Sequence, residues 1–335
     1  MANYKKMTAW SVGLSLYIVA IILISLNLGA VQISPGEVFQ TLFGQGNSRQ
    51  ELVLFTFRLP AITIALLAGL ALGVSGAILQ AVTRNELAEP GILGINSGAG
   101  FAVILYIFFF QSSMNTLTGW SIYMLPLFGL AGAFAAAIIV YSLAWKQGVE
   151  PIRLVLVGIG VNSGFGAALI LFQVKMNPQD FMQAIVWLSG DIWSPSWSFV
   201  TAIAPGILLL ILYGAAKFST LNILNLGDEV AMGLGAGVEK ERRILLLIAV
   251  GLAGLSVAAA GGIAFLGLVA PHIARRIVGP KHQYALPLSA LFGAAILLSA
   301  DTAGRNLFAP AEIPVGIVVT IISTPYFIYL LMKTK

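Results

Sequence analysis

Charge is scarce in this sequence. Of its 335 residues, 9% are Asp, Glu, Lys or Arg and 59% are hydrophobic, whereas an ordinary soluble domain carries about 25% charged residues. So few charges cannot cover a water-facing surface. Cysteine is absent, which excludes disulfides, thiolate metal sites and lipid attachment through cysteine. The only histidines, His272 and His282, stand in a basic stretch without a carboxylate or thiol partner nearby in sequence, so neither points to a metal or catalytic site. No G-x-x-x-x-G-K-[ST] phosphate loop occurs. The nearest glycine-rich run, Gly233-Leu234-Gly235-Ala236-Gly237, lacks the lysine and hydroxyl that would meet phosphate and magnesium. No polar stretch is long enough for a separate globular unit, so residues 1–335 read as one membrane domain.

What is present is a succession of apolar runs near the roughly 20 residues a helix needs to cross a bilayer. They predict an all-α polytopic membrane protein of about ten transmembrane helices, at 9–29, 60–83, 91–110, 122–144, 152–173, 197–216, 244–259, 262–278, 285–300 and 313–332. The first run follows Lys5 and Lys6 like a signal peptide. It is longer than an h-region and has no A-x-A site after it, so it reads as a retained helix. The seventh and eighth runs are barely separated by Ala258-Ala259-Ala260-Gly261-Gly262, and one bent helix would also fit the hydropathy. Charge favours two. With ten spans and both termini cytoplasmic, 14 of the 18 Lys and Arg residues fall inside, leaving Arg49, Arg58, Lys175 and Arg305 outside. The net charge of +5 then reflects orientation, not nucleic acid.

Small residues line up in two spans, as Gly69, Gly73 and Gly76 and as Gly160, Gly164 and Ala168. Both sets read as seams for close helix packing. Near the span midpoints stand only mild polar residues such as Ser75, Asn162 and Ser256, with no Asp, Glu or Lys. That argues against an ion-coupled secondary transporter, which needs ionisable groups at depth. An intramembrane enzyme would need a Ser/His or paired-aspartate set, and neither is evident. The energy source therefore lies outside the chain.

The segment Lys217–Arg243 carries four basic and four acidic residues, so orientation alone does not account for it. Asp228 and Glu229 favour a helix start through its dipole, Val230, Met232 and Leu234 offer apolar contacts, and Gly233, Gly235 and Gly237 break the helix. A short helix-turn-helix there would present a knob to a soluble partner.

Several blocks, in order, resemble one family: Arg58-Leu59-Pro60; Gly76-Ala77-Ile78-Leu79-Gln80 leading to Asn85 and Leu87-Ala88-Glu89-Pro90-Gly91-Ile92-Leu93-Gly94; Leu226-Gly227-Asp228-Glu229 with Leu234-Gly235; Gly267-Leu268-Val269-Ala270-Pro271-His272-Ile273-Ala274-Arg275; Ala300-Asp301 with Arg305; and Glu312-Ile313-Pro314-Val315-Gly316. Over nearly the whole chain this is similar to the FecCD-type permeases, the membrane subunits of ABC importers for ferric siderophores, haem and vitamin B12. The resemblance implies the type II ABC importer architecture in a bacterial cytoplasmic membrane. It also implies a second permease subunit, identical or paralogous, two cytoplasmic ATPase subunits and an extracytoplasmic binding protein or lipoprotein. No cofactor is implied, and the subunit itself is not an enzyme. Transport would be alternating access, biased by partners that bind the two states unequally.

The resemblance also implies residue roles. The loop 218–240 would couple to the ATPase through Gly227, Asp228, Glu229, Ala231, Leu234 and Gly235. Arg58 and Arg305 would dock glutamates of the binding protein, the other reading being an arginine at the interface or paired with Asp301 or Glu312. Asn85 and Leu87 would help close a cytoplasmic gate. The segment 174–196, with Trp187, Gly190, Asp191 and Trp193, would lie at the outer mouth, its aromatics as interface anchors. The chain departs from the family pattern at Ala61, where a second arginine is usual, at Glu86 in place of proline, and at Ser323-Thr324 in place of paired glycines. With Ala61, docking rests on fewer contacts or takes in Arg49. The motif Ile92-Leu93-Gly94-Ile95-Asn96-Ser97-Gly98-Ala99-Gly100 looks most like Gram-positive siderophore permeases, which favours an iron-siderophore cargo over vitamin B12 or haem.

Overall fold

A computed structural model describes residues 2–29, 31–110, 121–146, 148, 150–192, 195–309 and 311–333. Trp193 and Lys335 lie outside the described residues. Every element among them is a helix. Helix α1 (Ala2–Asn27) is followed by two short helices, α2 (Pro35–Leu42) and α3 (Ser48–Glu51). Each opens with a capping box, Ser34 with Glu37 and Asn47 with Gln50. A π-helical stretch, Leu52–Arg58, leads into α4 (Leu59–Thr83). Then come α5 (Ile95–Phe110), α6 (Ser121–Ala144) and α7 (Pro151–Gln173), the last with proline at its first position, where no N–H is needed. The Asn177 side chain caps α8 (Pro178–Leu188) and Ser196 caps α9 (Trp197–Ala216). The rest is α10 (Phe218–Leu224), α11 (Asp228–Gly233), α12 (Val238–Ala260), α13 (Leu266–Val278), α14 (His282–Asn306) and α15 (Val315–Lys333).

Each expected span coincides with one of these helices. Among the described residues, seven helical stretches are long and apolar enough to cross a membrane, and α5 and α15 are shorter apolar helices. The doubtful pair is resolved as two helices. The chain is non-helical from Gly261 to Phe265, with Gly261 at φ 67° and Phe265 at φ 64°, both left-handed. Ser75 Oγ donates to the Ala249 carbonyl (2.7 Å) and Ser256 Oγ to that of Ala68 (3.2 Å), so α12 runs antiparallel to α4. Gly76 of α4 packs on Gly267 near the start of α13, and Gln80, one turn on, accepts from Arg275 further along it, so α13 runs with α4. The chain has therefore reversed. At 13 residues, α13 rises about 20 Å, short of a hydrocarbon core of about 30 Å. The non-helical link supplies the remainder, and such backbone survives at membrane depth only inside protein.

Helix α4 is the centre of the bundle: 83% of its span is buried, against 11% for α7. Its glycines form a true seam. A Cβ on Gly69 would come within 2.6 Å of the Gly293 carbonyl oxygen, one on Gly73 would collide with the Ser289 carbonyl, and one on Gly76 with that of Gly267. The second stripe is different. Nothing lies within 4 Å of a Cβ built on Gly160 or Gly164. That helix lies at the edge of the chain and shows those residues outward, so the close packing expected there is not made within this chain.

Replacing Gly76 with valine forces two backbones apart and is expected to destabilise the protein by about 1–3 kcal/mol or more. Thermal unfolding in detergent should show a clear fall for G76V and little change for G164V.

Candidate functional site

The α10–α11 segment is the predicted knob, and it is clamped to the bundle at three points. At its start, the Lys217 ammonium donates to both Glu241 carboxylate oxygens at 3.0 and 2.7 Å, which raises the lysine pKa. On α10, Leu221 and Leu224 are buried. Asn222 Oδ1 accepts the His282 backbone N–H (2.9 Å), capping α14 from a neighbouring element, and its amide donates to Gln283 Oε1 (2.9 Å). Gly227, at φ 106°, makes the turn that no side-chain-bearing residue takes without strain. Asp228 then opens α11 and is shared by two guanidiniums. Arg84, just past α4, binds Asp228 Oδ1, and Arg242 Nη2 on α12 donates to both oxygens at 2.8 and 3.0 Å. Arg242 is only 3% exposed and also bonds Glu239 at 3.0 Å.

The six residues expected to couple therefore divide. Gly227 and Asp228 shape and anchor the knob, and Ala231 is buried beneath it. Glu229, Leu234 and Gly235 face outward, with Val230, Met232 and Leu234 each half or more exposed. The outward surface is an apolar ridge beside one carboxylate.

The two residues expected at a gate follow directly from this clamp. Arg84 adopts a left-handed conformation (φ 48°) that ends α4, and the next residue, Asn85, accepts the Leu87 N–H on its side-chain oxygen at 2.9 Å. This local turn is a common use of asparagine. Leu87 packs on Leu268, Val269 and Leu330 of α13 and α15. Glu86 is exposed, its carboxylate 3.7 Å from His272 Nδ1. Three residues on, buried Glu89 accepts the Phe265 N–H (2.8 Å), and Asn96 at the start of α5 donates to the Ile263 carbonyl (3.2 Å), so the loop and α5 together satisfy the non-helical entry to α13.

At the opposite end, Arg58, Asp191, Asp301, Arg305 and Glu312 line a cavity of about 440 Å³. The two arginines behave differently. Arg58 is buried, with its guanidinium donating to the carbonyls of Leu26 and Val31. It ties the chain after α1 to the start of α4 and is not a surface residue. Arg305 is partly exposed and bonds Asp301 one turn earlier on α14, the pairing that stood as the other reading of this residue. Burial raises the pKa of Asp191, and neighbouring Glu312 raises it further against the opposing effect of Arg305.

Trp187 is corrected outright. It is 1% exposed and packs near Gly129, because α8 turns this face inward. Gly190, which follows α8, packs backbone to backbone with Gly262 and Gly316, and the Gly316 N–H donates to its carbonyl at 3.0 Å.

Sequence reasoning placed Arg84 and Arg242 only as orienting charges and gave Asn222 and Glu89 no role. The available signal was local: a carboxylate at the start of a helix docked on the bundle calls for a cation, and a carboxylate between apolar runs requires a donor.

The FecCD transport family model matches residues 17–333. The iron(3+)-hydroxamate import system permease protein FhuG of Bacillus subtilis (strain 168) is 59% identical, over 96% of this chain and 95% of its own length. The iron-uptake system permease protein FeuC of the same organism is 43% identical over 96% and 97%. A solved structure described as an inward-facing conformation of a metal-chelate type ABC transporter superposes with a TM-score of 0.84 at 30% identity, covering 96% of this chain and 98% of that one. With the family model, the curated relatives and the solved fold all matching nearly its full length, the chain belongs to the FecCD transport family of ABC importer permeases.

Proposed function

We propose that this chain is the membrane-spanning subunit of an importer for iron(III)-siderophore complexes, with the hydroxamate class favoured by its similarity to FhuG. In this reading α10 and α11 lie in the cytoplasm as the coupling element of one permease domain, both termini are cytoplasmic, and the cavity lined by Arg305 faces the binding protein.

One observation carries the mechanism: Asp228 bonds Arg84, and Arg84 immediately precedes Asn85 in the loop that carries Leu87. A partner that displaces the apolar ridge of α11 pulls on Asp228. The pull passes to the end of α4 through Arg84 and to α12 through Arg242, and the loop that holds Leu87 against α13 and α15 moves with α4. Asn222 transmits the same displacement to α14. The ATPase supplies the free energy, because a partner shifts the equilibrium only as far as it binds one state better than the other. The chain makes and breaks no covalent bond.

At the other end, Arg305 is the candidate docking cation. A carboxylate from the binding protein would share the guanidinium with Asp301, giving orientation as well as attraction. Arg58 supports this surface from beneath by holding the chain after α1.

In a deletion strain under iron limitation, D228A protein at normal membrane abundance should lower uptake of a labelled ferric hydroxamate by roughly 5- to 150-fold, the range of a typical coupling energy. Unchanged uptake would remove Asp228 from the mechanism, and no uptake of any ferric siderophore with the wild-type gene would remove the cargo.

R305E should raise the binding-protein concentration needed for half-maximal uptake by about tenfold or more, with a weaker salt dependence than wild type and little change in maximal rate. The readout is uptake by reconstituted vesicles titrated with loaded binding protein.

A further inference from the structure

Between α6, α7 and α12 lies a second cavity, of about 250 Å³, which adjoins the clamp around Asp228 only through Arg243 and shares no residue with the cavity at Arg305. Its wall is almost wholly apolar and includes Phe134 of α6, Leu154 of α7 and Leu246 and Val250 of α12. It is open sideways, since Ile138 and Leu247, which also line it, are about 60% exposed. Its polarity is confined to one end. There the exposed Arg243 guanidinium lies 4.8 Å over the Trp145 ring. The Tyr141 hydroxyl is buried beside it, near enough to Arg243 to interact with the guanidinium.

Dimension and charge together identify the occupant. From Arg243 to Val250 along α12, and from Tyr141 to Phe134 along α6, the cavity runs about 10 Å, which fits within one leaflet of a hydrocarbon core of about 30 Å. Its polar end sits at the boundary that Trp145 marks, and indole rings favour the headgroup level. The other charges beside Tyr141, Arg242 and Glu239, bond each other at 3.0 Å. Arg243 has no carboxylate within ion-pair distance among the described residues. A cation over an aromatic ring, an adjoining hydroxyl and an apolar slot deep enough for the upper part of an acyl chain suit an anionic phospholipid. Water would find few polar partners in the slot.

We propose that this cavity is a binding site for an anionic phospholipid of the same leaflet as the α10–α11 knob, its phosphate on Arg243 and the Tyr141 hydroxyl and one acyl chain between α6 and α12. Because α12 also carries Arg242, the lipid would brace the helix that receives the knob.

The test is native mass spectrometry of the full chain released from nanodiscs containing equal phosphatidylglycerol and phosphatidylethanolamine of matched chains. Wild type should retain phosphatidylglycerol about fivefold over phosphatidylethanolamine. R243Q should lose the preference, R243K should keep most of it, and A137F, which fills the slot, should lose retention of both lipids. Circular dichroism checks that each variant is folded. Equal retention of the two lipids by wild type, or a preference unchanged in R243Q, overturns the proposal. So does a disulfide between I138C and a cysteine placed on a second permease subunit, which would show protein occupying the face.

Discussion

The backbone of α4 touches the backbones of α13 and α14, and the rest of the bundle is arranged around that approach. Lipid offers helices no hydrophobic drive to associate, so stability must come from van der Waals contact at close range. Gly69 and Gly73 against Gly293 and Ser289, and Gly76 against Gly267, bring carbonyls to where any side chain would stand. Ser75 and Ser256 add hydrogen bonds to carbonyls between α4 and α12. Packed on so many sides, α4 cannot absorb a displacement locally. Whatever moves Arg84 at its end is passed to its neighbours.

A second constraint acts on the same region. In a membrane every backbone polar group must find a partner within the protein, yet the chain is non-helical from Gly261 to Phe265. Glu89 and Asn96 supply that partnership from the loop after α4 and the start of α5. The short helix α13 thus begins inside the bundle, held by the loop that carries Asn85 and Leu87. Mobility of that loop and the position of α13 are physically linked, which is what an access-controlling element needs.

The few charges are concentrated where they join elements. An exposed ion pair contributes about 0–1 kcal/mol, and Arg84–Asp228 alone would be such a pair. Arg242 changes this, because at 3% exposure its guanidinium depends on Asp228 and Glu239 for compensation. Helix α14 joins the two ends of the molecule. Its first residue, His282, is capped by Asn222 of the knob, and its last turn carries Arg305. Over 25 residues it spans about 37 Å, so one rigid element reaches from the proposed coupling surface to the proposed docking surface.

The helices, most of their boundaries and the knob were legible in the sequence because hydropathy runs, caps and glycine breaks are local properties. The motif blocks placed the chain in its family for the same reason, since each is a short contiguous word. What the sequence could not supply were relations between distant residues. Asp228 meets Arg84 across 144 positions, and nothing near either residue encodes the other. The inward turn of Arg58 onto Leu26 and Val31, the burial of Trp187 and the outward face of the α7 glycines each depend on which neighbour occupies a helix face. Only the tertiary structure decides that, because a glycine or an arginine reads alike in sequence whether its face meets protein or is left open.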